Sequence, residues 1–206
     1  MNKASTTEIV NVITVGIGSR MLERIKMKYL KNNADRNDVV MTPKHVAKAL
    51  INHFKPEGKI LEPCKGTGNF LKYLPENTQW CEISEGRDFM DFNEEVDWII
   101  TNPPWSKVRK FMNHAMVVSD NVVFLTTIVH LWMRARLRDV KRKGFGIREI
   151  VIFETPSSFP AGGFQVGAFH LQKGYEGDIK FKNLGKITVE KPLNTQDTEQ
   201  TKEERK

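Results

Sequence analysis

Asn102-Pro103-Pro104-Trp105 stands directly after a short apolar run, Asp97 to Thr101, that reads as a β-strand. Each proline fixes its own backbone angles and pushes the residue before it into an extended conformation. The turn therefore cannot continue the strand, but it holds an amide, a carbonyl and an indole in one fixed relation. Two hydrogen-bond acceptors beside an aromatic face suit a flat polar ring, whose stacking is worth about 1–3 kcal/mol. A Pro-Pro turn with a packing tryptophan is the competing reading, and the surrounding sequence has to decide. Upstream, Glu62-Pro63-Cys64-Lys65-Gly66-Thr67-Gly68 follows a second strand, Lys59 to Glu62. Its two glycines let the backbone pass close to a ligand, without the third glycine of a dinucleotide loop or the Gly-Lys-Ser/Thr of a phosphate loop. A third strand, Thr78 to Ile83, carries Glu82 near its tip, placed to bond the hydroxyls of a ribose.

The four-residue turn resembles the catalytic motif of amino-methyltransferases that use S-adenosylmethionine, and Glu62 to Gly68 resembles their Glu-Pro-x-x-Gly-x-Gly loop. Lys65 departs from the small residue often found in that loop. The resemblance to the DNA adenine-N6 methyltransferases covers about Asp38 to Tyr175, with five elements in a consistent order. It implies that S-adenosyl-L-methionine is the cofactor, held by Thr42, Glu62, Cys64, Gly66 and Gly68 and bordered by Asn102. It implies further that Glu82 meets the ribose, Asp88 the adenine amine of the cofactor, and Phe89 its ring. The target base is expected to be flipped out of the duplex. Asn102 and the Pro103 carbonyl would each accept one hydrogen of its amine, with Pro104 stiffening the turn and Trp105 stacking on the base. Phe159 is the expected aromatic on the other face, with Phe164 as its rival. Transfer would be a direct in-line displacement, and no His or Cys has a persuasive claim to be a general base.

These residues need elements to place them. Thr42 is a candidate cap for a helix with Pro43 first and Val46, Ala47, Leu50, Ile51 and Phe54 on one face. His45 and His53 read as surface residues of that helix. A helix is expected from Asn69 to Leu74, another from Ser106 to Val118, and a buried strand from Asn121 to Val129. Leu131 to Lys143 reads as a basic helix, and Met133 to Arg148 holds seven Arg or Lys against one acid, Asp139. Arg134, Arg136 and Arg138 are therefore either phosphate contacts or a solvated face. Strands are expected at Arg148 to Glu154 and Gln165 to Lys173, with one or two more between Ile179 and Val189. The alternation predicts an α/β fold, the Rossmann-like class I methyltransferase arrangement: a mostly parallel, doubly wound sheet with an antiparallel strand near one edge.

The chain has 206 residues, 28% charged and 39% apolar, which suits one domain with a sizeable core. We expect an N-terminal arm and helix over 1–37, the methyltransferase domain over 38–190, and a disordered tail over 191–206. No apolar run approaches a membrane span, and Ile9 to Gly18 makes no signal peptide. The only two cysteines, Cys64 and Cys81, lack CxxC or His partners; this predicts reduced thiols, a cytoplasmic setting and no metal site. The net charge of +7 lies outside the tail, whose four basic and four acidic residues cancel. A basic body favours a polyanion, with DNA the expected nucleic acid. Too little chain follows Tyr175 for a separate target-recognition domain, so a partner subunit or the first 37 residues would assist recognition, and a phage or mobile-element origin would suit the size. The alternatives are adenine in RNA, cytosine-N4, protein glutamine, or a non-catalytic nucleic-acid-binding subunit.

Overall fold

The computed structural model describes residues 40–159 and 163–188. The expected N-terminal arm and helix, and the tail, lie outside the described residues. Helix α1 (Lys44–Phe54) leads into β1 (Ile60–Glu62), β2 (Gln79–Trp80) and β3 (Val96–Thr101). Helix α2 (Val108–Val118), β4 (Ser119–Thr127), α3 (Arg134–Arg142), β5 (Phe145–Ile152), β6 (Val166–Lys173) and β7 (Lys180–Asn183) follow. The seven strands form one sheet in the order β2-β1-β3-β4-β6-β5-β7. Strands β2, β1, β3 and β4 pair in parallel, β6 runs antiparallel to both β4 and β5, and β7 is parallel to β5. One reversed strand, third from the β7 edge, thus interrupts an otherwise parallel sheet, as the alternation of elements predicts.

Successive strand residues face opposite sides, and the two sides carry two cores. Ile60, Ile100, Val123, Leu125 and Val151 meet α1 through Val46, Ala47, Leu50, Ile51 and Phe54. Leu61, Ile99, Val122, Phe124 and Ile150 meet α2 through Val108, Met112 and Ala115, and α3 through Val140. Burial on both faces explains why the central strands read as unbroken apolar runs. Among the described residues, no helix is long and apolar enough to cross a membrane.

Several boundaries differ from expectation. Thr42 does not cap α1: Pro43 occupies the cap position, no side chain bonds there, and Lys44 is the first helical residue. Asn69 to Leu74 forms successive turns instead of a helix, with Gly68 N–H bonded to Lys65 O and Tyr73 N–H to Phe70 O. Between Gly68, held at φ +72°, and Pro75 there is too little chain to nucleate one. Phe70 and Leu74 are nevertheless buried against α1. The strand expected over Thr78 to Ile83 shrinks to two residues, because Glu82 caps a one-turn helix at Ile83–Glu85. Among the described residues of the Ile179 to Val189 region one strand forms, within the one or two expected, whereas α2 and α3 begin two or three residues later than expected.

Candidate active site

Strand β1 is central to the site's placement: β2 lies on one side of it and β3 on the other. The chain reverses direction of travel across the sheet there, which in open α/β sheets opens a crevice beyond the carboxyl ends of the strands. The glycine loop leaves β1 and the Asn-Pro-Pro-Trp turn leaves β3, so both stretches open onto that crevice. A cavity of about 30 Å³ lies between them, lined by Val40, Thr42, Cys64, Gly66, Asn69 and Asn102 among others.

Asn102 is clamped at both ends of its amide. Its Nδ2 donates to the Val40 carbonyl at 2.7 Å, and its Oδ1 accepts from Trp105 Nε1 at 3.0 Å. The first bond orients the amide so that the oxygen cannot exchange places with the nitrogen. Pro103 is buried and Pro104 caps a one-turn helix, Trp105–Lys107, its carbonyl taken by the Lys107 N–H. Trp105 lies nearly parallel to Phe159, at 14° with ring centres 6.2 Å apart. Of the two aromatic candidates, the fold thus brings Phe159 to Trp105, with Phe159 4% exposed, and leaves Phe164 61% exposed. Changing Trp105 to Phe keeps a ring but removes the donor that holds Asn102 Oδ1. We expect a drop in turnover of about tenfold, the value of roughly one hydrogen bond, with little change in substrate KM. Steady-state kinetics checks this; a change confined to KM would refute the positioning role.

The solved structures with this architecture identify it. No protein-family model and no curated protein matches the sequence. A Listeria monocytogenes protein assigned to the class I S-adenosylmethionine-dependent methyltransferases superposes with a TM-score of 0.54 at 17% identity, over 82% of this chain and 73% of that one. The EcoKI M protein of a type I restriction enzyme gives 0.53 at 15%, over 89% of this chain and 59% of its own. The type IIG restriction endonuclease BpuSI gives 0.54 at 13%, over 72% and 27%. The fold is that of the class I methyltransferases. The chain spans little more than half of the EcoKI protein and about a quarter of BpuSI.

Within that methyltransferase fold the acidic residues are already engaged. Glu62, at the end of β1, is fully buried; its Oε1 accepts from the Cys64 N–H at 2.9 Å, while Oε2 has no hydrogen-bond partner. Burial pushes its carboxyl up to about 8, only partly offset by the Thr101 hydroxyl beside it and the Cys64 N–H. Glu82 accepts from the Gly66 N–H at 2.9 Å and from both the hydroxyl and the N–H of Ser84. Partial burial works to raise its pKa, but those bonds and the nearby Lys65 outweigh it and hold the carboxyl below its usual value. Lys65 also lines the cavity, and its ammonium is already partnered: its Nζ is 2.6 Å from Glu85 and 4.0 Å over the Trp80 ring, which Arg87 also meets at 4.0 Å. Asp88 accepts from the Met90 N–H.

Two residues lie in other surroundings than expected. The Phe89 ring is 1% exposed and packs on Phe111 and His114, as part of the core. Arg136 points inward: its Nη1 donates to the His130 carbonyl, its Nε is buried, and burial followed by the Arg109 charge lowers its pKa. Arg134 and Arg138, one helical turn apart on the other face of α3, are exposed as expected. The two-residue offset puts Arg136 on the opposite face. Thr42 lines the cavity, and the Asn69 amide donates to its carbonyl at 2.8 Å. Asn69 and the Val40 carbonyl were not foreseen. A polar residue straight after a glycine loop was a signal for Asn69; a backbone carbonyl leaves none. Among the described residues, no cluster of His, Cys, Asp or Glu stands ready to hold a metal.

Proposed function

We propose that this chain transfers the methyl group of S-adenosyl-L-methionine to the N6 amine of adenine in DNA. The observation that carries the reading is the clamped Asn102 at the carboxyl end of β3, beside Trp105 and across the crevice from the glycine loop. Names of the structural relatives add weight, since they include a type I restriction enzyme's M protein and a restriction endonuclease.

The residues present fit the cofactor. A Cβ on Gly68 would meet nothing within 4 Å, so the loop's surface is open, whereas Gly66 is roofed by Met41, whose sulfur would stand 3.1 Å from such an atom. Met41 is 45% exposed, and its displacement would enlarge a cavity now too small for the whole molecule. Thr42, Cys64, Gly66 and Gly68 would hold the methionine end, Glu62 would offset its positive charge from beneath, and Glu82 and Asp88 would meet the nucleoside. Bound there, the cofactor supplies an electrophilic methyl group on a sulfonium. The chain's own part is positional. The Asn102 oxygen keeps a lone pair for one amine hydrogen after accepting from Trp105, and the Pro103 carbonyl would take the other. Drawing both hydrogens aside aims the nitrogen lone pair at the methyl group. A base held between Trp105 and Phe159 needs about 7 Å, twice the ~3.5 Å contact between carbon atoms. Phe159 and its loop must therefore move outward by about an ångström. A partner subunit, or residues 1–37, would complete target recognition.

Labelled methyl transfer to duplex DNA, single-stranded DNA, RNA and protein, followed by nucleoside analysis, tests the proposal. N6-methyladenine from DNA supports it; label only in RNA or protein overturns the polymer, and failure to bind the cofactor in calorimetry overturns the enzyme. Neutralising Arg134 and Arg138 together to Gln should lower the slope of log affinity against log salt by about 2, one for each lost phosphate contact. Arg136→Gln should leave that slope unchanged and lower the thermal midpoint, because its guanidinium ties down a loop. An unchanged slope in the double variant would return α3 to an ordinary solvated face.

A further inference from the structure

The segment between β4 and α3 pairs a rigid frame with exposed apolar side chains. Leu131 is fully buried, yet Val129, Trp132 and Met133 are 43%, 48% and 52% exposed. Several bonds fix the backbone beneath them. Ile128 N–H bonds the Gln165 carbonyl, Leu131 N–H the Ile128 carbonyl, and the Arg136 guanidinium the His130 carbonyl. Met133 O receives the first amides of α3, from Arg136 and Leu137. Burying a guanidinium to hold this segment is costly, and nothing in the core requires a half-exposed tryptophan there. The surroundings are cationic. Arg134 and Arg138 follow on the exposed face of α3, and Lys107, Arg109 and Lys110 are exposed at the start of α2. The single acid on either helix, Asp139, is buried and neutralised by Arg109 and Arg142. Because β3 and β4 are adjacent and parallel, the segment leaves the sheet at the same edge as Asn102.

Apolar side chains flanked by cations beside a base-binding crevice match a wedge for a polyanion whose interior is stacked rings. The geometry points to Trp132 and Met133 as the side chains that enter the duplex where the target adenine leaves it, filling the vacated place in the base stack. This rests on the proposed function, and its occupant is duplex DNA. Flipping a base breaks its pairing and stacking, and a wedge offsets that loss only where pairing opposes extrusion.

The test uses the full chain and a duplex centred on the adenine mapped in the wild-type transfer assay, once fully paired and once with an abasic site opposite the target. Trp132→Ala should slow transfer at least about tenfold on the paired duplex and less than about threefold on the abasic one, because the latter has little pairing to break. Met133→Ala should show the same pattern with a smaller loss, and Trp132→Phe should restore most of the rate. Equal losses on both duplexes, as a site for a protein partner would give, or no loss on either, overturn the wedge while leaving the methyltransferase reading intact. A wild-type chain that methylates no DNA overturns both.

Discussion

Asn102→Ala should reduce methyl transfer by about 10²–10³-fold, the usual loss on removing one preorganised polar contact to the reacting group. Affinity for the cofactor should stay within about threefold, because most of the contacts assigned to it lie on Thr42, Glu62, the glycine loop, Glu82 and Asp88. The size of the effect follows from how little freedom Asn102 has. The Val40 carbonyl at 2.7 Å and Trp105 Nε1 at 3.0 Å fix the amide on both sides, so its oxygen is aimed before any substrate arrives. Removing the side chain loses the acceptor and frees the indole at once. Single-turnover transfer of labelled methyl, read beside calorimetric titration of the cofactor, checks this. A variant of normal rate removes Asn102 from the mechanism; a loss of cofactor affinity as large as the loss of rate moves its role to the cofactor site.

The parts of this site that were legible in the sequence are those where covalent constraint or burial acts locally. The two prolines and two glycines impose their backbone geometry wherever they stand, so the Asn102 turn and the Gly66–Gly68 loop could be placed from spacing. Helix α1 announced itself because five apolar residues fall on one face, and all five are buried. β4 did so because a strand covered on both sides has no polar alternation. What escaped depends on distant contacts. Phe89 looked like a lid and is core, because Phe111 and His114 arrive from α2 to cover it. Arg136 sits in a run of cations, and only the helical period together with the His130 carbonyl separates it from Arg134 and Arg138. The Asn69 helix failed because a glycine turn and Pro75 leave no room for a nucleus. The position of β7, paired in parallel outside β5, follows from no local signal at all.

The protein should lose about 2 kcal/mol of stability as the pH rises from 6.5 to 8, at about 1.4 kcal/mol per pH unit, and Glu62→Gln should abolish that loss. The sign follows from the direction of the shift. Burial raises the Glu62 carboxyl from its usual 4.5 to about 8, so the folded chain keeps a proton that the unfolded chain has given up. Its contribution is complete below 4.5 and disappears as the pH rises toward 8. His170 acts in the opposite sense. Burial, then the charge of Arg148, lowers it from 6.5 to about 4, among Trp98, Phe54 and the Asn121 side chain. Its contribution is complete above 6.5 and is lost as the pH falls. From 4.5 to 6.5 the two slopes therefore cancel, and above 6.5 only Glu62 remains. The thiols of Cys64 and Cys81 do not interfere, since burial pushes both above their ordinary value. Glutamine keeps the oxygen that accepts from the Cys64 N–H and cannot ionise, so urea unfolding of the variant should be flat from pH 6.5 to 8. A wild-type curve that is already flat there, or a decline that persists in Glu62→Gln, would show that Glu62 is not held protonated in the fold. A cation bound in the adjacent cavity favours the ionised form, so added S-adenosyl-L-methionine should recover most stability at the alkaline end of this range.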